Sequence, residues 1–196
     1  SSITTPDQVE TRLGTLKFTD GFPDEATVQK LYDNLDFQHA VQAYLAGLPA
    51  VSVEGARRGI TTLGPANQTV GISETLLDSK SLFLTANTTT PYTFVWLDLT
   101  KGPLVMEVPP MILGPLDDYW FRWVTDVGIT GPDKGKGGKY LLVPPGYKGE
   151  IPSGYFVAHS RTFGNLLFFR TFLKDGDPKP GVESVKKLFR VYPLAI

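Results

Sequence analysis

The stretch that decides the fold is DVGITGPDKGKGGKYLLVPPGYKG, residues 126–149. Glycine and proline clusters stand at both ends, and they enclose the apolar run Tyr140-Leu141-Leu142-Val143. Such clusters form turns, and a short apolar run between them is typical of a covered β-strand. The stretch therefore predicts a hairpin-like unit within a strand-rich architecture.

Similar runs recur on both sides of this stretch, with glycine or proline between them. This spacing favours an antiparallel sandwich or barrel over alternating β-α units. Phe94 and Trp96 alternate with Val95 and Leu97, so that strand is apolar on both faces and should be central. The predicted strands are 82–85, 92–98, 104–108, 119–124, 140–143, 155–157 and 166–172.

The two ends of the chain predict helices. Between residues 23 and 58 the apolar residues follow a helical period, and Gly47 and Pro49 should end or kink the helix. Residues 177–190 predict a C-terminal helix that Asp177-Pro178 begins. The predicted domain organisation is a helical portion at 1–58, a β-sandwich at 59–175, and a helix with a tail at 176–196.

The composition excludes several classes of function. A net charge of −1 provides no basic surface for nucleic acid. The chain has no cysteine, which rules out disulfides, thiolate catalysis and cysteine zinc sites. No apolar stretch reaches the roughly 18 residues that a membrane span needs. We therefore expect no membrane span, no nucleic-acid partner and no cofactor.

Three motifs suggest chemistry, but each has a simpler structural explanation. GPDKGKGGK (131–139) could hold a phosphate, yet Lys139 lacks the Ser or Thr and the helix that a phosphate loop requires, which favours a tight turn. His39 and His159 have no metal-ligand spacing, so we predict no metal site. No G-x-S-x-G motif is present, which disfavours a serine hydrolase, although His159 and Asp126 could belong to a triad assembled in space.

Acidic and aromatic residues concentrate after Gly114-Pro115. Asp117 and Asp118 could form an acid–base pair, but a turn is the favoured position for both. If 119–124 is a strand, alternate aromatic side chains share one face and could stack on a flat ligand; packing in the core is the simpler explanation. The aromatic residues are Tyr119, Trp120, Phe121 and Trp123.

Two arginines lie in apolar surroundings. Arg122 and Arg170 should each pair with a carboxylate, with Asp98 or Asp126 as the expected partners. The alternative is that they bind the carboxylate of a ligand, which suits the planar guanidinium.

Four segments together resemble the domain of unknown function 1254 family. They are FPDEATVQKLYDNLDFQHAVQAYLAGLPAV, LTANTTTPYTFVWLDL, GPDKGKGGKYLLVPPGYKG and FLKDGDPKPGVESVKKLFRVYPL. The resemblance covers about residues 20–194. It implies N-terminal helices before an immunoglobulin-like sandwich, a bacterial and often exported protein, and a second β-rich domain of the 1214 family. It implies no established activity.

Two features depart from the family pattern. The family's Asn-x-Asp-Thr-x-Tyr motif becomes Asn87-Thr88-Thr89-Thr90-Pro91-Tyr92, so Thr89 replaces a carboxylate while Asn87, Thr90 and Tyr92 match. The second domain is also missing, which suggests a truncated, cleaved or stand-alone form.

We therefore expect an extracytoplasmic β-sandwich that serves as a binding or assembly module, either as a homo-oligomer or beside a companion β-rich domain. Its ligand would be a small molecule or a carbohydrate. The alternative is a hydrolase of a small ester or glycoside, with a site near Asn87, Tyr92 and Arg122 and with unknown catalytic residues. The predicted ligand-binding residues are Asn87, Thr90, Tyr92, Arg122, Asp126 and Arg170.

Overall fold

The computed structural model describes residues 6–81 and 85–195. The chain forms two compact units, Ser1–Leu48 and Pro49–Ile196, and their boundary falls within a long helix. The predicted division at residues 58 and 175 stays a prediction.

The first unit begins with a small antiparallel sheet that the sequence analysis did not predict. Its strands are β1 (Gln8–Thr11), β2 (Gly14–Thr19) and β3 (Phe22–Pro23), in that order. Helix α1 (Glu25–Thr61) follows at once. Asp24 caps it, because the Asp24 carboxylate accepts a 2.8 Å hydrogen bond from the backbone N–H of Thr27.

The prediction that the helix ends near Gly47 and Pro49 was wrong, since α1 runs through both residues, while the kink expected there stays a prediction. A proline inside a helix removes one hydrogen-bond donor and costs about 3 kcal/mol. Pairing in the following turn favours the helix: Glu54 contacts Arg57 at 2.6 Å and Arg58 at 2.8 Å. The plural N-terminal helices of the prediction are therefore a single helix.

The second unit contains the remaining strands and a short helix. In chain order they are β4 (Gly71–Ile72), β5 (Tyr92–Asp98), β6 (Leu104–Val108), β7 (Ile112–Asp118), β8 (Trp123–Gly128), β9 (Gly138–Val143), β10 (Phe156–His159), β11 (Gly164–Thr171), α2 (Lys179–Leu188) and β12 (Arg190–Pro193). One sheet has the order β4-β5-β11-β7-β8, and another has the order β10-β9-β6-β12.

The predicted strands at 92–98 and 104–108 match β5 and β6, and β5 is indeed central, between β4 and β11. The predictions at 140–143, 155–157 and 166–172 overlap β9, β10 and β11. The C-terminal helix is also confirmed. Of the predicted strand at 82–85, residues 82–84 lie outside the described residues. Strands β4, β7 and β12 were not predicted.

The strand predicted at 119–124 was wrong over residues 119–122, because β7 ends at Asp118 and β8 begins at Trp123; only its last two residues lie in a strand. The intervening residues form a turn in which Phe121 adopts a left-handed φ of 57°. Asp117 and Asp118, expected in a turn, instead end β7 and are 6% and 0% exposed.

The prediction of a purely antiparallel fold was wrong at one strand pair. β10 runs parallel to β9, with Phe156 opposite Tyr140. A parallel pair needs a connection of about a dozen residues, and the proline- and glycine-rich segment 144–155 provides it.

Residues of both sheets share one hydrophobic cluster, which makes up most of the core. β5 contributes Val95 and Leu97, β6 contributes Met106, β9 contributes Tyr140, and β11 contributes Phe169. Helix α2 adds Val185, which is 1% exposed. The protein is thus mainly β, with two helices in the described part of the chain. Neither of these helices has an apolar stretch long enough to cross a bilayer.

Candidate functional site

The candidate site lies on what we call the outer face, the side of the five-stranded sheet turned away from the shared core. Arg170 on β11 lies opposite Tyr92 on β5 and Leu113 on β7. On the adjoining pair of strands, Pro115 lies opposite Asp126. Because alternate residues of a strand share a face, four strands bring residues distant in sequence together here.

Helix α1 covers one part of the outer face. Val53 packs with Trp96 and Leu166, and all three are at most 5% exposed. Tyr119 meets Trp96 edge-on at 5.7 Å, and its hydroxyl donates a 2.5 Å hydrogen bond to Glu54. Hydrogen bonds from Arg57 and, to a smaller extent, from Tyr119 lower the pKa of Glu54. The hydrogen bond to Glu54 raises the pKa of Tyr119. This part of the face is structural.

A pocket of about 180 Å³ opens on another part of the outer face. Ligand pockets for drug-sized molecules occupy roughly 300–1,000 Å³, so this one suits a smaller molecule. Its wall is mostly apolar, with one acidic and one basic side chain. The lining residues are Tyr92, Leu113, Gly114, Pro115, Asp126, Thr130, Phe168, Phe169 and Arg170.

Arg170 provides the positive charge of the pocket. Its guanidinium lies 5.4 Å from the centre of the Tyr92 ring, and it donates a 3.4 Å hydrogen bond to the Tyr92 hydroxyl. Within residues 6–81 and 85–195, no carboxylate forms an ion pair with Arg170. The predicted pairing of Arg170 with Asp98 or Asp126 was therefore wrong. The half-buried guanidinium keeps most of its donors for a ligand.

Asp126 provides the negative charge. One carboxylate oxygen accepts a 3.1 Å hydrogen bond from the indole N–H of Trp123, and the side chain is half-buried. In the described part of the chain Asp126 forms no ion pair. The second carboxylate oxygen has acceptor capacity left over.

Asp117 is a buried carboxyl on the same face, 6% exposed. No hydrogen bond from any other described residue reaches its side chain. Burial raises the pKa of Asp117, and the charges of Asp118 and Asp126 raise it further. Such surroundings favour the neutral acid.

Arg122 does not reach the pocket, because Asp118 binds it. The Asp118 carboxylate accepts hydrogen bonds from Nε of Arg122 at 2.8 Å and from two backbone N–H groups, those of Trp120 and Arg122. Burial alone would raise the pKa of Asp118, but these hydrogen bonds outweigh it and lower the pKa. The predicted partners of Arg122, Asp98 and Asp126, were wrong.

Asn87 and Thr90 form a local turn before β5. The Asn87 amide donates a 2.5 Å hydrogen bond to the Thr90 hydroxyl, and its oxygen accepts one from the backbone of Thr89 at 2.8 Å. Of the six predicted ligand-binding residues, the pocket brings together Tyr92, Asp126 and Arg170.

The turn after β8 is built around Asp133, which is 3% exposed. Its carboxylate accepts hydrogen bonds from Gly128 N–H at 2.8 Å and Gly137 N–H at 3.0 Å, and from the Tyr140 hydroxyl. Burial and this last contact raise the pKa of Tyr140. These backbone amides therefore bind the protein's own carboxylate, which supports a turn at GPDKGKGGK over a phosphate loop.

The aromatic turn does not form the regular platform expected of a strand. Trp120, Phe121 and Trp123 are 45%, 53% and 62% exposed. Phe121 stacks on Phe168 with an interplanar angle of 2° and 6.4 Å between ring centres.

His39 and His159 are exposed, and no cluster of three or more potential metal ligands occurs among the described residues.

Comparisons with known proteins agree with this mainly β architecture. The family described as "Protein of unknown function (DUF1254)" matches residues 67–193. The chain therefore belongs to the DUF1254 family, which confirms the resemblance noted from the sequence. No curated protein matches the chain.

A solved structure shares the fold. It is the crystal structure of the VPA0106 protein from Vibrio parahaemolyticus, with a TM-score of 0.59 and 18% identity. The match covers 78% of this chain but 37% of that chain. The chain thus spans well under half the length of that protein.

Proposed function

We propose that the chain is a binding module that holds a small carboxylate in the outer-face pocket. The supporting observation is Arg170, a half-buried cation whose guanidinium contacts the ring and donates to the hydroxyl of Tyr92. A guanidinium without an acidic partner is complementary to a carboxylate, which it binds through two parallel hydrogen bonds. Leu113, Pro115 and Phe168 provide an apolar wall for the rest of the ligand.

The size of the pocket limits both the ligand and its affinity. A volume of about 180 Å³ suits a carboxylic acid of a few carbons. A short acid offers one charged contact and little apolar surface, so we expect dissociation constants on the order of 1 mM.

Titration of the labelled protein with valerate tests the proposal, with backbone NMR shifts as the measurement. We expect saturable shifts in β5, β7 and β11, and at least tenfold weaker binding to Arg170→Gln, since one charged contact is worth about 1.5–3 kcal/mol. Arg161→Gln is the control, because Arg161 is exposed and outside the pocket. Equal binding by both variants would exclude this site.

A hydrolase of a small ester or glycoside is the second candidate, favoured by Asp117. A buried carboxyl with a raised pKa beside the second carboxyl of Asp126 is the arrangement by which acid–base pairs divide their roles. Its site would differ from the one expected near Asn87, Tyr92 and Arg122. Nitrophenyl acetate and nitrophenyl glycosides would report the activity, and turnover that survives Asp117→Asn would exclude this role.

We also propose that the module self-associates through one apolar stripe of helix α1. Phe37, Val41, Tyr44 and Leu48 follow the alternating four–three spacing of a coiled-coil seam. All four are exposed, by 68%, 40%, 68% and 43%. No charged residue lies between Asp36 and Glu54, so two copies would meet without charge repulsion. Light scattering that gives a monomer mass over a wide concentration range would rule out this self-association. A companion β-rich domain would then be the alternative partner.

We also propose that the fold is an immunoglobulin-like sandwich and that the protein is extracytoplasmic. The shared hydrophobic cluster supports two stacked sheets in an immunoglobulin-like sandwich. An extracytoplasmic location is supported by the family resemblance, and cell fractionation tests it.

A further inference from the structure

The two charges that line the pocket do not neutralise each other. Arg170 lies on β11 and Asp126 on β8, with β7 between these strands. Their partners on β7, Leu113 and Pro115, are two residues apart. The backbones of Arg170 and Asp126 are therefore two strand spacings apart across the sheet, at about 4.8 Å each, and are offset by about 7 Å along the strands.

The surface between these charges is apolar. Leu113 and Pro115 lie on the intervening strand, and Phe168 lies beside them on β11. The pocket thus has a cation at one end, an aliphatic floor, and a carboxylate at the other end. A simple carboxylic acid would use the first two and leave Asp126 without a cation.

We propose that the pocket selects a short zwitterion, an ω-amino acid whose carboxylate binds Arg170 and whose ammonium group binds Asp126. The methylene chain lies over Leu113 and Pro115. This inference rests on the proposed function, to which it adds the second charged group of the ligand.

Asp126 is suited to this role by its surroundings. The Trp123 indole fixes one oxygen at 3.1 Å and leaves the other available to accept from an ammonium group. This free acceptor favours a cation at this end of the pocket.

Three ligands of one length test the inference: 5-aminovalerate, valerate and pentylamine, with binding followed by NMR shifts at constant ionic strength. We expect 5-aminovalerate to bind about tenfold more tightly than valerate, because it gains one charge-assisted hydrogen bond. Asp126→Asn should remove this advantage. Arg170→Gln should weaken the binding of both acids.

The outcomes separate this inference from the proposed function. Equal affinities for 5-aminovalerate and valerate on the unmodified protein would overturn the zwitterion and leave carboxylate binding in place. Failure of both acids to bind would overturn both proposals. The comparison of ligands needs no variant, so it holds even if Asp126→Asn does not fold.

Discussion

Replacing Asp133 by alanine tests the architecture that positions the pocket. The buried Asp133 carboxylate joins the end of β8 to the start of β9, through Gly128, Gly137 and Tyr140. Gly128 cannot be replaced by a residue with a side chain, because it has a φ of 82° and any Cβ there would lie 1.9 Å from the carbonyl oxygen of Ile112. Removing the carboxylate would leave two backbone N–H groups and one hydroxyl without their acceptor.

The expected loss of stability follows from these three donors. Each donor left unsatisfied in the interior costs about 1–3 kcal/mol, and partial relaxation reduces the sum. We expect Asp133→Ala to lower the free energy of unfolding by about 4 kcal/mol. Asp133→Asn should lose about 2 kcal/mol, because its amide oxygen still accepts from Gly128 and Tyr140 while its NH₂ group opposes the Gly137 N–H. A loss of 4 kcal/mol corresponds to about 8–16 °C in Tm.

Urea denaturation followed by circular dichroism measures these losses. Asp36→Ala is the matched control, since Asp36 is exposed on α1 and its loss should change stability by less than about 0.5 kcal/mol. Tyr140→Phe combined with Asp133→Ala should show coupling of about 1 kcal/mol or more. A loss below about 1 kcal/mol for Asp133→Ala would refute the view that this carboxylate organises the turn.

Three further predictions concern the neighbouring part of the outer face. Asp117→Asn should raise the free energy of unfolding at pH 7 and leave it unchanged near pH 3. Because the pKa of Asp117 is raised in the folded protein, the native protein loses stability as pH rises above 3.8, and the asparagine removes this loss. Urea denaturation at several pH values between 3 and 7 would measure the difference. Arg122→Met should lower the free energy of unfolding by about 2 kcal/mol at pH 7, and this loss should disappear in acid. The reason is that the lowered pKa of Asp118 contributes stability, which is lost when that carboxylate is protonated. A loss independent of pH would contradict the pairing of Arg122 with Asp118. Gly164→Ala should cost about 1–3 kcal/mol in the same melts, since its Cβ would lie 2.7 Å from the Tyr119 ring, and no loss would show that the ring moves freely.

Much of the strand content was predictable because local sequence determines it. β5, β6 and β9 are apolar runs bounded by glycine or proline. The bounds of β5 and β6 were predicted as observed, and the predicted β9 began two residues late. The range 119–124 has a similarly apolar sequence, but residues 119–122 form a turn. There, Asp118 binds the backbone of Trp120 and Arg122, and this contact outweighs β propensity.

The candidate site was only partly predictable because it depends on strand register. Tyr92, Asp126 and Arg170 were expected to bind a ligand, and the register of four strands places them around one pocket. Arg122 has the same chemistry, but a carboxylate four residues earlier binds it first. Asp133 was hidden within a turn motif, where an exposed aspartate is the usual expectation.

The central claim is that the guanidinium of Arg170 is free to bind a carboxylate. The most direct test follows the side-chain N–H signals of ¹⁵N-arginine-labelled protein during titration with valerate, against a chloride titration of equal ionic strength. We predict that the Arg170 signal shifts and saturates in the millimolar range while the Arg122 signal, held by Asp118, stays in place. An Arg170 signal that remains unchanged, or that moves equally with chloride, would contradict the account.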